Sequence, residues 1–386
     1  MKVKLTAILF LCLWQISFGQ QQYLSPKAEI SILTVGPGTA LNDAFGHSGF
    51  RIKDTTGLDV VFNYGVYDFN APNFYLKFAR GKLEYLIGAN YFDDFYQSYL
   101  RQNRTIDEQV LQLSTREKQT LYNYLLHNYK PENRRYTYDF FYNNCATKIR
   151  EVLERNTENR LLFRPYEGYE EKTFRTLIQD KLHWNSWGSL GIDLALGASI
   201  DRITTPEEHM FLPENIYRFF AEATFSHGIP LVKATQNLYT QKQPLQAAIH
   251  WANPLTILSL LALFIIYITY TDYKNNTRTR WLDVLLGYTT GAIGLCLFLL
   301  WFATDHTATG YNYNMLWAFP VNIFIAHTLL KKQPKPWVKS YIKFLLLLLC
   351  LMVFHWLMGV QVFAPVLLPL LLALAIRYVF LLRITA

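Results

Sequence analysis

Charge is scarce in this chain of 386 residues: Asp, Glu, Lys and Arg make up 17% of it, against 51% hydrophobic residues. That balance excludes one soluble enzyme of ordinary composition. The shortage is uneven. Up to about residue 250 charge is mixed with Tyr and Phe, as in a water-soluble domain, whereas Pro254 to Leu382 reads as long apolar runs. The boundary is a change of solvent. Cysteine is also scarce, with Cys12, Cys145, Cys296 and Cys350 only. None stands where a lipoprotein signal would need one, which excludes a lipid-anchored N terminus.

What is present begins with Lys2 and Lys4, the apolar stretch Leu5 to Trp14, and Ser17-Phe18-Gly19. These are the basic, apolar and small-residue regions of a secretory signal over residues 1–19, cleaved after Gly19. The competing reading, an uncleaved anchor, needs about 20 apolar residues and finds fewer. Residues 20–250 are then an exported domain, and residues 251–386 a membrane domain. Five apolar segments, near 254–271, 282–303, 314–330, 341–358 and 362–382, predict five spans.

Charge tests the orientation. With the N-terminal domain outside, one inner loop carries Lys274, Arg278 and Arg280, and the next carries Lys331, Lys332, Lys335, Lys339 and Lys343. Positive charge thus falls inside. The outer loop from Ala303 to Asn314 has no Lys or Arg, and Arg383 puts the C terminus in the cytoplasm. The +8 formal charge is largely this topological signal and gives no reason to expect nucleic acid as a partner.

Cys12 leaves with the signal, and Cys296 and Cys350 lie in spans, so Cys145 is alone in the exported domain. A lone thiol in an oxidising compartment is either buried and inert or kept for its reactivity. Tyr136 to Tyr142 reads as a strand, Asn143-Asn144 as a turn, and Cys145 to Arg155 as a helix with Ile149, Val152 and Leu153 on one face. A thiol at a helix start meets unsatisfied N–H groups and the macrodipole, which favour a thiolate near neutral pH and can hold an oxyanion. The plainer reading is a small apolar residue packed under the helix.

A cysteine nucleophile in acyl transfer needs an imidazole. His127, His183, His209 and His227 lie in unpunctuated surroundings, whereas His47 stands in Phe45-Gly46-His47-Ser48-Gly49-Phe50, at a tight turn where a strand begins. In the next strand, Val60 to Gly65, Asn63 is the one polar side chain among apolar ones. If the two strands pair, Asn63 can orient the imidazole, the third role in such triads. Asp68 is the other candidate. Ser48 and Asn144, beside His47 and Cys145, are candidate substrate contacts.

Asp305-His306 opens a polar loop between two apolar spans, a default functional candidate at such a depth. The pair would bind a lipid head group or guide an amine toward Cys145. A metal held by His250, Asp305, His306 and His355 ranks below both, so no metal or other cofactor is expected. Asp201-Arg202 reads first as a structural ion pair, Arg80-Gly81 with Tyr75 to Tyr85 as a lipid-facing lip, Glu214 to Ala223 as a helix, and Ser226 to Gln243 as the connection to the membrane.

His47 preceding Cys145 in these motifs resembles the circularly permuted papain-like hydrolases and acyltransferases, related to the peptidoglycan peptidase and lecithin-retinol acyltransferase folds. The fold expected is therefore α+β, with a permuted papain-like domain followed by a helical bundle of about five spans. The whole chain more closely resembles the Lnb-type lipoprotein N-acyltransferases, through Phe62-Asn63-Tyr64-Gly65, Asn143-Asn144-Cys145-Ala146-Thr147, Met210-Phe211-Leu212-Pro213, Asp305-His306 and the spans after an exported domain. That resemblance implies transfer of a fatty acyl chain from phospholipid to the α-amino group of the diacylglyceryl-cysteine of lipoproteins, at the inner membrane of a bacterium. It makes Cys145 the acylated nucleophile and His47 the general base and acid. The competing classes are a membrane-bound cysteine peptidase or amidase acting on cell-wall peptide, and a non-enzymatic membrane component.

Overall fold

The computed structural model describes residues 23–158, 160–242 and 251–384. The expected signal and His250 lie outside them. The architecture is α+β, with an N-terminal sheet domain and C-terminal helices. In chain order the first part runs β1 (Glu29–Val35), β2 (His47–Lys53), β3 (Asp59–Val66), α1 (Phe74–Ala79), β4 (Glu84–Tyr91), α2 (Phe92–Arg101), β5 (Ile106–Leu111), α3 (Thr115–Tyr129), β6 (Arg135–Thr137) and α4 (Cys145–Asn156). It continues with α5 (Phe174–Gln179), α6 (Trp187–Ala195), α7 (Pro213–Glu222) and β7 (Val232–Tyr239).

The seven strands form one antiparallel sheet in the order β6-β4-β3-β2-β1-β5-β7. Alternation along the strands sends Ile30, Ile32, Phe50, Ile52, Phe62 and Tyr64 to one face, where they pack with Leu121 and Leu125 of α3, Ile149, Val152 and Leu153 of α4, and Ile216 and Phe219 of α7. Leu33, Val35 and Val61 lie on the other face with Phe95 of α2. Two local expectations are corrected. Of the run Tyr136 to Tyr142 only Tyr136 and Thr137 are strand, at the end of Arg135–Thr137, because Asp139 Oδ1 accepts the N–H groups of Phe141 and Tyr142 and bends the chain. Within Ser226 to Gln243, β7 is an edge strand that completes the sheet beside β5.

The membrane part holds α8 (Pro254–Asn275), α9 (Arg280–Phe302), α10 (Pro336–Leu357) and α11 (Leu368–Ile384). Among the described residues, four helices are long and apolar enough to span a bilayer. The fifth expected span, 314–330, is not one continuous helix but a broken path of short pieces at Tyr313–Leu316, Asn322–Ile325 and Ala326–Leu330. Pro320 has no N–H to continue a helix, and the backbone presses into notches at Gly287, Gly291 and Gly294 of α9. Such irregular backbone is tolerated at membrane depth where protein covers it. Asn322 covers part of that cost, donating to Thr290 Oγ1 at 2.9 Å and accepting from the Tyr341 hydroxyl. The path descends antiparallel to α9, from the 303–312 loop to the loop of Arg278, whose guanidinium donates to the Leu329 and Lys331 carbonyls. The side expected for each charged loop is therefore unchanged.

The two parts interlock. Gly197 N–H donates to the Ala308 carbonyl and Ala198 N–H to that of Tyr311, each within 3.0 Å. A side chain at Gly197 would collide with the Gly310 carbonyl. Asn312 and Asn314 donate to the carbonyls at the end of α6. Behind this seam, buried Arg175 binds Asp201 at 2.8 Å, Asp193 at 3.1 Å and the carbonyls of Leu196 and Gly197 at 3.0 Å. The expected Asp201-Arg202 pair is thereby corrected: Asp201 belongs to Arg175, while Arg202 pairs with Glu208.

Candidate active site

The site grows from two chain reversals. Gly46 has φ of +84°, and a Cβ there would stand 2.7 Å from the Val35 carbonyl, so only glycine lets the chain enter β2 at His47. Cys145 is the first residue of α4. Asn144 caps that helix: its side chain accepts the N–H groups of Ala146 and Thr147 at 2.9 Å and donates to the Phe140 and Phe211 carbonyls. Thr147 returns a bond to the Asn144 N–H, closing a capping box. The Met210 to Pro213 motif is thus a buried floor. Its Phe211 carbonyl holds Asn144, and Pro213 packs under Gly46.

β2 and β3 pair with Gly49 opposite Asn63, as the site requires. His47 Nε2 lies 3.3 Å from Asn63 Oδ1, and Asn63 Nδ2 donates to Asn90. The Asn63 amide thus orients the ring and leaves Nδ1 as the nitrogen for other work. His47 and Cys145 meet across Gly65, a bulge residue with φ of +92°. A Cβ on Gly65 would stand 3.6 Å from Cys145 Cβ and 3.9 Å from His47 Cε1. Glycine therefore leaves a gap between the His47 ring and the Cys145 side chain. Asp68, the other candidate partner, instead accepts the Asn70 N–H in a local turn.

The backbone N–H groups of Ser48, Ala146 and Cys145 surround the half-buried sulfur. Burial nonetheless pushes the thiol up to about 11, outweighing those donors and the nearby Arg104 charge. Burial likewise lowers His47 to about 4, against the Asn63 hydrogen bond and with help from Arg104. Both directions favour thiol and neutral imidazole at neutral pH, so desolvation of the sulfur opposes the thiolate that the helix start favours.

Ser48 contributes its N–H to the sulfur, while its hydroxyl is fully buried without a hydrogen-bond partner. Asp305 and His306 lie on the membrane loop and reach α1. The Asp305 N–H donates to the Arg80 carbonyl at 2.9 Å, and His306 Nε2 lies 3.1 Å from the Phe78 carbonyl. The next residue, Thr307, donates to Asp139 at 2.6 Å, in the loop leading to Cys145. His355 packs on Tyr313. Among the described residues no group of three or more His, Cys, Asp or Glu is gathered as a metal would need.

Sequence reading missed Gly65 as a spacer and Arg104 altogether. Arg104 is buried over Tyr99, donates to the Gly36 carbonyl, stands 3.9 Å from Asp43, and keeps Nη2 without a hydrogen-bond partner. Nothing local to Asn103-Arg104-Thr105 marks it; only the fold brings it to the site.

The geometry of an oriented imidazole beside a helix-start cysteine joins a protein already seen to have a sheet domain and apolar helices. Residues 14–180 match the model of the Lnb N-terminal periplasmic domain, and residues 246–386 match that of the Lnb transmembrane domain. The chain belongs to the Lnb family. It is a multi-pass membrane protein with a periplasmic domain. Neither the curated proteins nor the solved structures gave a match.

Proposed function

We propose that this Lnb family member is a lipoprotein N-acyltransferase of the inner membrane. It moves a fatty acyl chain from phospholipid to the α-amino group of diacylglyceryl-cysteine by way of a Cys145 thioester. The carrying observation is the triad-like set of Cys145, His47 and Asn63 on a domain interlocked with a membrane bundle. The permuted papain-like reading of that domain rests on the same set, with a nucleophile at a helix start and a base on the sheet.

In the first half-reaction the Cys145 sulfur attacks the ester carbonyl of the donor while its proton passes to His47. The N–H groups of Ser48, Cys145 and Ala146 supply donors for the oxyanion. Collapse breaks the ester C–O bond, His47 returns the proton to the leaving oxygen, and a lysophospholipid departs. In the second half a neutral lipoprotein amine attacks the thioester. The C–N bond forms, the C–S bond breaks, and His47 takes the amine proton and returns it to sulfur. The neutral resting pair suits this order, since base and acid roles alternate without a stored charge. Asn144 positions Cys145, and Asp305 with His306 secures α1.

A wall peptidase of the same dyad would use its cysteine equally but has no need of the bundle interlocked with its domain. Incubation with acyl-labelled phospholipid separates the readings, because only the acyltransferase carries label on Cys145. Cys145→Ala and Cys145→Ser should each abolish the N-acyl group on a lipoprotein's N-terminal peptide, read by mass spectrometry, with the protein still in the membrane. Full activity in both variants would sink the assignment.

A further inference from the structure

Helix α1 buries none of its residues. Tyr75 is 79% exposed, Leu76 and Phe78 more than half, and Phe69 just before it 63%. A soluble surface seldom gathers such a patch without a use for it. Lys77, Arg80 and Lys82 flank it.

Its attachment says what covers it. The Arg80 and Phe78 carbonyls bind Asp305 and His306, Lys82 pairs with Asp305 at 3.3 Å, and a side chain on Gly81 would crowd the Asp305-His306 backbone. Asp305 is three residues beyond Phe302, the exposed last residue of the span α9. Three residues of extended chain reach about 10 Å at most. That confines the end of α1 near the head-group layer, which is about 5–8 Å deep on each side of a bilayer.

We infer that α1, with Tyr67 and Phe69, is an interfacial docking surface for the phospholipid of the periplasmic leaflet. Its aromatic side chains enter the acyl boundary, and its basic residues meet the phosphate. From this surface a run of rings leads inward: Phe69 and Phe74 meet Tyr67 at 4.8 and 6.2 Å between centroids, Tyr67 meets Tyr85 at 5.5 Å, and Tyr85 stacks on Tyr138 at 4.0 Å. Tyr138 adjoins Asp139, whose backbone pairs with that of Asn143, two residues before Cys145. The run supplies an apolar track from bilayer to sulfur. The track rests on the acyl-transfer reading; the docking surface does not.

The test is a nitroxide at Tyr75→Cys in the full chain, with its other cysteines replaced, in nanodiscs of phosphatidylethanolamine and phosphatidylglycerol. Collision with oxygen should exceed collision with a water-soluble nickel chelate, as for a label at Phe302→Cys and opposite to one at Arg116→Cys. A Tyr75 label that behaves like the Arg116 label overturns the docking surface. The Tyr67→Ser, Phe69→Ser, Phe74→Ser triple variant tests the track, whose outer rings it removes. Its rate of Cys145 acylation from phospholipid, relative to that from a soluble short-chain aryl ester, should fall at least about tenfold. An unchanged ratio overturns the track. Absence of any thioester in the unaltered protein would defeat the acyl-transfer reading while leaving the depth result to be judged by itself.

Discussion

The membrane bundle and the candidate active site each bury an arginine, and they treat it in opposite ways. In the bundle Arg377 is fully buried, binds Asp272 and Asp283 at 2.7 Å, and reaches the Thr279 carbonyl. Asp283 is shared with Arg278 at 2.8 Å, so the cluster is neutral and ties α8, α9 and α11 together. In the pocket Arg104 has one carboxylate at 3.9 Å, stacks on Tyr99, and leaves a guanidinium nitrogen without a hydrogen bond. A charge neutralised on all sides holds a structure in place. A charge left under-neutralised sends its field into neighbouring groups, here Cys145 and His47.

The largest way to sharpen this comparison is to break the bundle cluster. Arg377→Leu leaves two buried carboxylates short of their partner, and its cost should be about 3–5 kcal/mol, visible as lost membrane yield or a lower Tm in detergent. Arg175→Met should come next. It strips Asp193 and Asp201 at the seam, and limited proteolysis should then release a periplasmic fragment that the unaltered protein withholds. Arg104→Gln should move Tm less than either, because few bonds are lost. The rate of Cys145 acylation should fall about tenfold as the thiol loses a cation that favours its ionised form. A Tm loss equal to that of Arg377→Leu would erase the contrast between the two sites.

The smallest effect is in pH dependence. A thiol raised to about 11 is protonated at pH 7 and ionises as pH rises. Alkylation of Cys145 by iodoacetamide should therefore climb steadily from pH 7 to pH 10. A plateau already at pH 7 would show an ion pair at rest. His47, lowered to about 4, stays neutral and able to accept a proton down to about pH 5.

The helix opening at Cys145, the strand opening at His47 and the pairing that carries Asn63 were legible because each has a local signature: a cap, a glycine turn, a period of two. Long-range placement was not. Arg104 reaches the site from beyond α2, and Gly65 matters only because two other elements approach it. The residues 314–330 looked like one continuous helix because hydropathy counts apolar side chains, whereas Pro320 and the notches in α9 govern whether a helix continues. The segment Ser226 to Gln243 looked like a connection because β7 buries none of its residues fully. Arg377 sat in an apolar run with no sign that Asp272 and Asp283, about a hundred residues earlier, would meet it.

The backbone seam at Gly197 and Gly310 has a kinetic consequence. It leaves no room for a side chain and so little freedom for the periplasmic domain to swing. The seam therefore holds Cys145 at a set height, and the donor of the proposed reaction would reach it by diffusing in two dimensions. On the proposed function, turnover then follows the mole fraction of donor in the bilayer and is indifferent to how much total lipid the sample contains.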